Sequence, residues 1–283
     1  MTTHHTDVLM ITYQRPSYTR LALGHLLQRS SPRVRVWVWH NGQDSETLSV
    51  VESFRDHPRF HHFHHSPQNV RLTKPTNWFW STADGDLLSK VDDDCIVPEA
   101  WDILLRKAHE DEKRFGVIGC WRFQPEDYDS DLASKKLQTF MGEHQLMLNM
   151  WVEGSGYVMK RECVDRFGPL REGQSFTDYC IDIARAGWFN GWVFPFLYQE
   201  HMDDPRAEHS ELHTDDALMR GLPLSAKANG VHSLDLWQQQ LQRSAQIVQS
   251  APYDNAYWSP RRRWLRRKAR RFRSLLLGGP KHW

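Results

Sequence analysis

Cysteine is scarce in this sequence. Cys95, Cys120, Cys163 and Cys180 are the only four, and no two form a C-x-x-C pair. That excludes a disulfide framework and metal-finger spacing, and it favours a reducing, cytoplasmic compartment. Long apolar runs are also missing. Nothing approaches the roughly 20 apolar residues that span a bilayer, and the opening "MTTHHTDVLMITY" lacks the basic and apolar regions of a secretory signal. Acidic side chains are absent from one region. Residues 261–283 carry ten Lys/Arg and no Asp/Glu, so the overall charge of +1 hides a net of −9 over residues 1–260.

The chain does hold alternating strand and helix patterns. "DVLMITY" (7–13) reads as a buried strand and "SYTRLALGHLLQRS" (17–30) as a helix capped by Ser17. "RVRVWVWHNG" (33–42), "RFHHFHH" (59–65) and "DLLSKVDDD" (86–94) read as further strands. Helices at 45–57, with a Ser45 cap, and at 75–84 separate them. Such alternation predicts a mostly parallel sheet flanked by helices, with ligands bound beyond the carboxyl ends of the strands. "TYQR" (12–15), "HNGQD" (40–44) and the triplet Asp92-Asp93-Asp94 all fall at such ends. Three adjacent carboxylates repel one another and are costly to desolvate, so a compensating cation is expected there.

Beyond Pro98 the alternation weakens: a helix at 100–115, a strand at 116–123, two strands about a glycine-rich turn within 147–168, a helix at 175–188 and a strand within 191–204. His61, His62, His64 and His65 alternate along one short strand, a pattern that suits an edge strand better than a zinc site. The 13 tryptophans suit core and seam packing, or stacking on rings of a ligand.

In order along the chain, "VLMITYQRP", "SPQNVRLTKPTNWFWSTADGDLLSKVDDDCIVPEAW", "VEGSGYVMKRECVDRFGPL" and "FTDYCIDIARAGW" resemble the motifs of inverting glycosyltransferases of family 2, over roughly residues 6–205. The resemblance implies a GT-A fold, an α/β Rossmann-like architecture. Residues 1–97 would bind a nucleotide sugar, 98–205 would form the acceptor and catalytic half, and 206–283 a helical extension. It implies Asp94 and His201 as ligands of Mn2+ or Mg2+, Asp92 on the ribose and Asp93 supporting the site. Thr12, Tyr13, Arg15, Asn41, Arg71, Lys74 and Asn77 would line the donor site. Asp178 takes the general-base position, with Asp182 as runner-up, and Trp151, Glu153 and Gly154 face the acceptor. Asp203 and Asp204 follow His201 without an assigned role.

Three departures stand out. His40-Asn41-Gly42 replaces an aspartate-containing turn, Arg71 stands where glycine is common, and Thr177 replaces the acidic neighbour of the base. A UDP-sugar donor and a cell-surface polysaccharide or lipid-linked glycan acceptor are expected. A sugar nucleotidyltransferase would need a glycine- and basic-rich loop after the first strand, which "TYQRPSYTR" is not, and a non-enzymatic binding protein would need no base.

The tail, "SPRRRWLRRKARRFRSLLLGG" (259–279), places Trp264, Leu265, Ala269, Phe272 and Leu276 on one helical face among arginines. This basic amphipathic pattern suits an anionic membrane surface, or docking on the acidic body. A nucleic-acid partner is not expected.

Overall fold

The computed structural model describes residues 5–221, 226–227 and 229–277, with side chains other than those of 267 and 270–277. The apolar face of the tail beyond Ala269 therefore lies outside the described side chains.

Strand β1 (Thr6–Thr12) is buried along its whole length. Its alternation feeds two cores: Leu9 and Ile11 enter one face of the sheet, Val8 and Met10 the other, as the two-residue period of a strand requires. Both faces being covered, the strand reads as a continuous apolar run. The polar intruder, Asp7, is fully buried and fully answered. Arg35 donates to both its oxygens at 2.7 Å, Gly85 N–H donates at 2.7 Å and Trp37 Nε1–H at 3.0 Å.

Chain order continues with α1 (Pro16–Arg29), β2 (Val34–Asn41), α2 (Ser45–Glu52), β3 (Phe60–Ser66), α3 (Thr73–Thr82) and β4 (Leu87–Lys90). The two expected caps shift, by two residues at α1 (to Arg15) and by one at α2 (to Asp44). Helix α1 starts on Pro16, whose missing N–H costs nothing in a first turn, so Ser17 is already inside. Helix α2 is capped by Asp44, whose carboxylate accepts from Thr47 N–H at 2.9 Å, rather than by Ser45.

The later elements are β5 (Cys95–Ile96), α4 (Trp101–Asp111), β6 (Phe115–Gly119), α5 (Ser130–Ala133), β7 (Leu137–Thr139), β8 (Gln145–Asn149), β9 (Tyr157–Lys160), α6 (Arg161–Phe167), α7 (Phe176–Arg185), β10 (Phe189–Phe194), β11 (Glu200–His201) and α8 (Asp215–Arg220). Two long helices close the chain, α9 (Leu234–Ser250) and α10 (Pro260–Leu277).

The nine-stranded sheet has the order β3-β2-β1-β4-β9-β6-β10-β8-β7. Pairings β1–β2, β1–β4, β2–β3 and β6–β10 are parallel, and only β8 and β9 run against the rest. The carboxyl ends of β1, β2, β4 and β6 therefore open on one edge. Strand β3 is an edge strand, and its histidines pack on tryptophans: His64 stacks on Trp39 with centroids 3.8 Å apart, and His62 on Trp37 at 5.1 Å. All four cysteines are free and buried.

Candidate active site

The Asp triplet lies just past the end of β4. Its three carboxylates part company there. Asp93 Oδ2 accepts from Tyr13 N–H at 3.1 Å, tying the triplet to the loop after β1. Asp92 pairs with Lys90, and its backbone N–H donates to Ser155 Oγ at 2.9 Å. Asp94 turns the other way, toward Arg15 at 3.3 Å and His201 at 3.9 Å.

A small second sheet brings His201 there. Strands β5 and β11 pair antiparallel with His201 opposite Cys95, and Met202 N–H donates to Asp94 C=O at 2.8 Å. Asp203 comes with it and also pairs with Arg15. Trp237 of α9 donates its indole N–H to Asp203 C=O at 2.7 Å, and Tyr18 donates to Met202 C=O at 2.9 Å. Asp94, His201 and Asp203 thus offer three ligand atoms within 4.8 Å of one another.

The electrostatics divide the carboxylates. Burial pushes Asp94 up, but the charges of His201 (when protonated) and Arg15 outweigh it and hold the group well below the usual carboxylate range. Burial, then Arg122, pushes His201 down to about 4, so at neutral pH it is an uncharged imidazole and Arg15 is the cation facing Asp94. Burial and the Asp94 charge push Asp203 up to about 8 and Asp93 to about 7. Carboxylates this close do not all ionise without a cation. The donor set, two carboxylates and a neutral imidazole, fits a manganese-type ion. Arg15 supplies positive charge between the two carboxylates in this structure.

The other residues expected at the donor site take varied places. Thr12 Oγ1 hydrogen-bonds His40 Nδ1 at 2.9 Å, and both are buried. Asn41 is spent internally: its Oδ1 accepts from Trp39 Nε1–H and Val70 N–H, and its Nδ2 donates to Arg71 C=O. Asn77 Nδ2 donates to Leu170 C=O and its Oδ1 accepts from Leu170 N–H, stitching α3 to the segment after α6. Arg71, with φ at 61°, and Lys74 are exposed near that turn.

Of the residues expected to face an acceptor, Glu153 sits with Oε2 buried and without a hydrogen-bond partner, and burial raises its pKa against the pull of Arg122. Gly154 has open space where a side chain would stand. Gly156 has none: at φ +67° a Cβ would lie 1.6 Å from Gln199 Oε1, so the turn needs glycine. Trp151 is 8% exposed, with its ring edge-on to Trp258 at 4.9 Å.

Helix α7 presents Asp178 in its first turn. Ser175 caps the helix, accepting from Asp178 N–H at 3.0 Å and donating to Asp178 Oδ2 at 3.0 Å. Arg263 of α10 donates to Asp178 Oδ1 at 3.1 Å and pairs with Asp182, which also meets Arg171 at 3.4 Å.

Arg122, Asp203, Trp258 and Arg263 were not among the residues the motifs single out for a role. Arg122 had a signal: "CWRF" leaves β6 at the same edge as the triplet, and its Nη1 lies 3.5 Å from His201 Nε2. Asp203 separates from Asp204 only in three dimensions, because Asp204 is taken by Arg206 at 2.7 Å.

A Rossmann-like sheet with acidic residues and a histidine gathered at its carboxyl edge defines a GT-A glycosyltransferase. The match is carried by the family as well: residues 7–167 match Glycosyl transferase family 2, to which the chain belongs. Among solved structures, the mannosyltransferase PcManGT from Pyrobaculum calidifontis, in complex with GDP-Man and Mn2+, is similar with a TM-score of 0.58 and 15% identity, over 95% of this chain and 80% of that one. S. aureus TarS 1–349 in complex with UDP-GlcNAc is similar with a TM-score of 0.53 and 14% identity, over 88% and 82%. No curated protein matches the chain. Among the described residues, no helix is long and apolar enough to cross a membrane.

Proposed function

We propose that this enzyme moves a sugar from a nucleotide-diphosphate donor, a UDP-sugar being favoured, to a glycan hydroxyl, with inversion and with a divalent cation. The observation that carries this is the cluster of Asp94, His201 and Asp203 around Arg15 at the carboxyl edge of the parallel strands. Asp94, His201 and Asp203 would hold Mn2+ or Mg2+, which neutralises charge developing on the diphosphate leaving group. PcManGT with GDP-Man and Mn2+ and TarS with UDP-GlcNAc support this type of donor.

The chain's own residues do the rest. Arg15 exchanges its carboxylates for phosphate oxygens, a bidentate match for a guanidinium. Asp92 and Asp93 hold the loop that receives the nucleoside, with Thr12 and Tyr13 beside them. Asp178 takes the proton from the attacking hydroxyl, as an inverting displacement requires. Glu153 and the open flank of Gly154 meet the acceptor, whose class is a cell-surface polysaccharide or lipid-linked glycan. The basic helix α10 would meet an anionic membrane surface from the cytoplasmic side.

Thermal unfolding with UDP, GDP, TDP and CDP, each with and without Mn2+, tests the reading. A folded-state ligand at 100 times its dissociation constant adds about 2.7 kcal/mol. Stabilisation by one nucleotide only when Mn2+ is present is expected. No stabilisation by any pair would refute the metal-dependent donor site.

A further inference from the structure

Helix α10 does not simply project from the body. Its first turn is docked on α7. Arg263, with its side chain 11% exposed, donates through Nη1 to Asp178 Oδ1 at 3.1 Å and to Asp178 C=O at 3.4 Å, while its Nη2 pairs with Asp182. Ser175 engages the other oxygen of Asp178. Immediately before the helix, Trp258 covers Trp151, and Arg266 lies over the rings of Tyr257 and Trp258 at 4.1 and 4.8 Å. The segment therefore covers the acceptor flank of the site as well as Asp178.

The docked arrangement is incomplete. Arg263 Nε and Arg266 Nη2 are buried with no hydrogen-bond partner, and unanswered donors cost free energy. The opposite side of the same turns shows what would compete for them. Trp264 and Leu265 are 54% and 49% exposed, and Arg261, Arg262 and Lys268 are exposed beside them. From 260 to 277 the helix holds nine Lys/Arg and no acid. An apolar ridge set in unopposed positive charge fits a surface of phosphodiester anions with an apolar interior.

We propose that Arg263 is a clasp: in solution it stands on Asp178 and Asp182 and keeps the acceptor flank shut, and an anionic lipid surface draws α10 off and uncovers Asp178. Transfer is then confined to the membrane, where a lipid-linked acceptor would be found. The role of Asp178 in this scheme rests on its assignment as the base. The clasp itself rests only on the contacts above.

Because binding couplings are reciprocal, whatever weakens the clasp must strengthen attachment to the surface. Asp182→Asn weakens the clasp while leaving the tail and Asp178 intact. Full-length wild type and Asp182→Asn are compared by co-sedimentation with vesicles of phosphatidylcholine containing phosphatidylglycerol, with phosphatidylcholine alone, and with inorganic phosphate at matching phosphate concentration. Nucleoside diphosphate release from the nucleotide sugar is followed in the same samples. We expect Asp182→Asn to bind the anionic vesicles about fivefold more tightly than wild type, the factor that about 1 kcal/mol of ion pair represents. We also expect wild-type turnover to rise about fivefold on those vesicles only, and the variant to be that fast without them. Equal vesicle affinity for the two proteins overturns the clasp, as does wild-type stimulation by inorganic phosphate alone. Tighter binding with unchanged turnover leaves the clasp standing and removes Asp178 from the chemistry. Arg263→Gln serves as the second variant: slower turnover than wild type without vesicles would make Arg263 a helper of the base and end the proposal.

Discussion

Single arginines bridge several aspartate pairs in this enzyme, and two of those pairs, one at the sheet edge and one on α7, differ in where the arginine comes from. Arg15 sits in the loop between β1 and α1 and joins Asp94 to Asp203 inside the sheet edge. Arg263 comes from the last helix and joins Asp178 to Asp182 on the outer flank. The first bridge is surrounded by groups that cannot leave: Asp203 is 3% exposed, and its carbonyl is held by Trp237. The second depends on one helix turn. An arginine built into the scaffold sets up a permanent electrostatic site, which in the proposed function is traded for phosphate and cation. An arginine delivered by a peripheral helix is removable, since only that helix must move.

The sharpest way to separate the two pairs is to remove one carboxylate from each. Asp94→Ala should abolish Mn2+-dependent nucleotide stabilisation and with it transfer. Asp178→Asn should keep that stabilisation and lose about 10²–10⁴-fold in transfer, the usual worth of a positioned general base. Thermal shift and turnover on the same samples decide. Loss of nucleotide binding in Asp178→Asn would merge the two sites into one.

The scaffold that holds the first pair has its own weak point, at acid pH. His109 is buried under β9, with Nε2 donating to Val158 C=O at 3.0 Å and Nδ1 unpartnered. Burial pushes it down to about 3. The unfolded chain binds that proton from about pH 6.5 downward, so the stability is fully present above 6.5 and is lost as pH falls toward 3. Between pH 7 and 4 this withdraws roughly 3 kcal/mol. Urea unfolding between pH 7 and 4 should show the decline, and His109→Phe should flatten it. An equal slope in the variant would move the effect to other groups.

The smallest effect concerns the removable flank. Trp258→Ala takes away the edge-on partner of Trp151 and the ring beneath Arg266. A half-buried aromatic of this kind should cost about 1–3 kcal/mol. Nucleotide stabilisation with Mn2+ should stay as in wild type. A loss of donor binding in Trp258→Ala would show that the segment around Trp258 is coupled to the donor site, and the contrast between the two arginines would collapse.

Much of the donor edge was readable in the chain, because a period of two and a period of 3.6 mark strands and helices locally. The alternation of "DVLMITY" with "SYTRLALGHLLQRS" already implies parallel strands whose ends meet at one edge, and it puts Arg15 and the Asp triplet there. The acceptor flank was harder. Trp151 read as acceptor-facing or as core packing, and its ring meets at a steep angle that of Trp258, a residue from a segment with no motif. Asn41 and Asn77 read as donor contacts, yet the amide of Asn41 is engaged by the Trp39 indole and the backbone of Val70 and Arg71, and that of Asn77 by the backbone of Leu170. A polar side chain at a strand end looks the same in sequence whether it faces a ligand or a loop.

By itself the sequence determined the layered α/β architecture and which carboxylates end the strands, since these follow from local periodicity and short spacing, while the family came from the ordered motifs and the match over residues 7–167. Only the tertiary structure decided that Asp203 and not Asp204 joins Asp94, that Arg122 approaches His201, and that Arg263 lands on Asp178. Those choices depend on a two-residue β-ladder and one docked helix turn, contacts between segments far apart in the chain, where no local pattern records the partner.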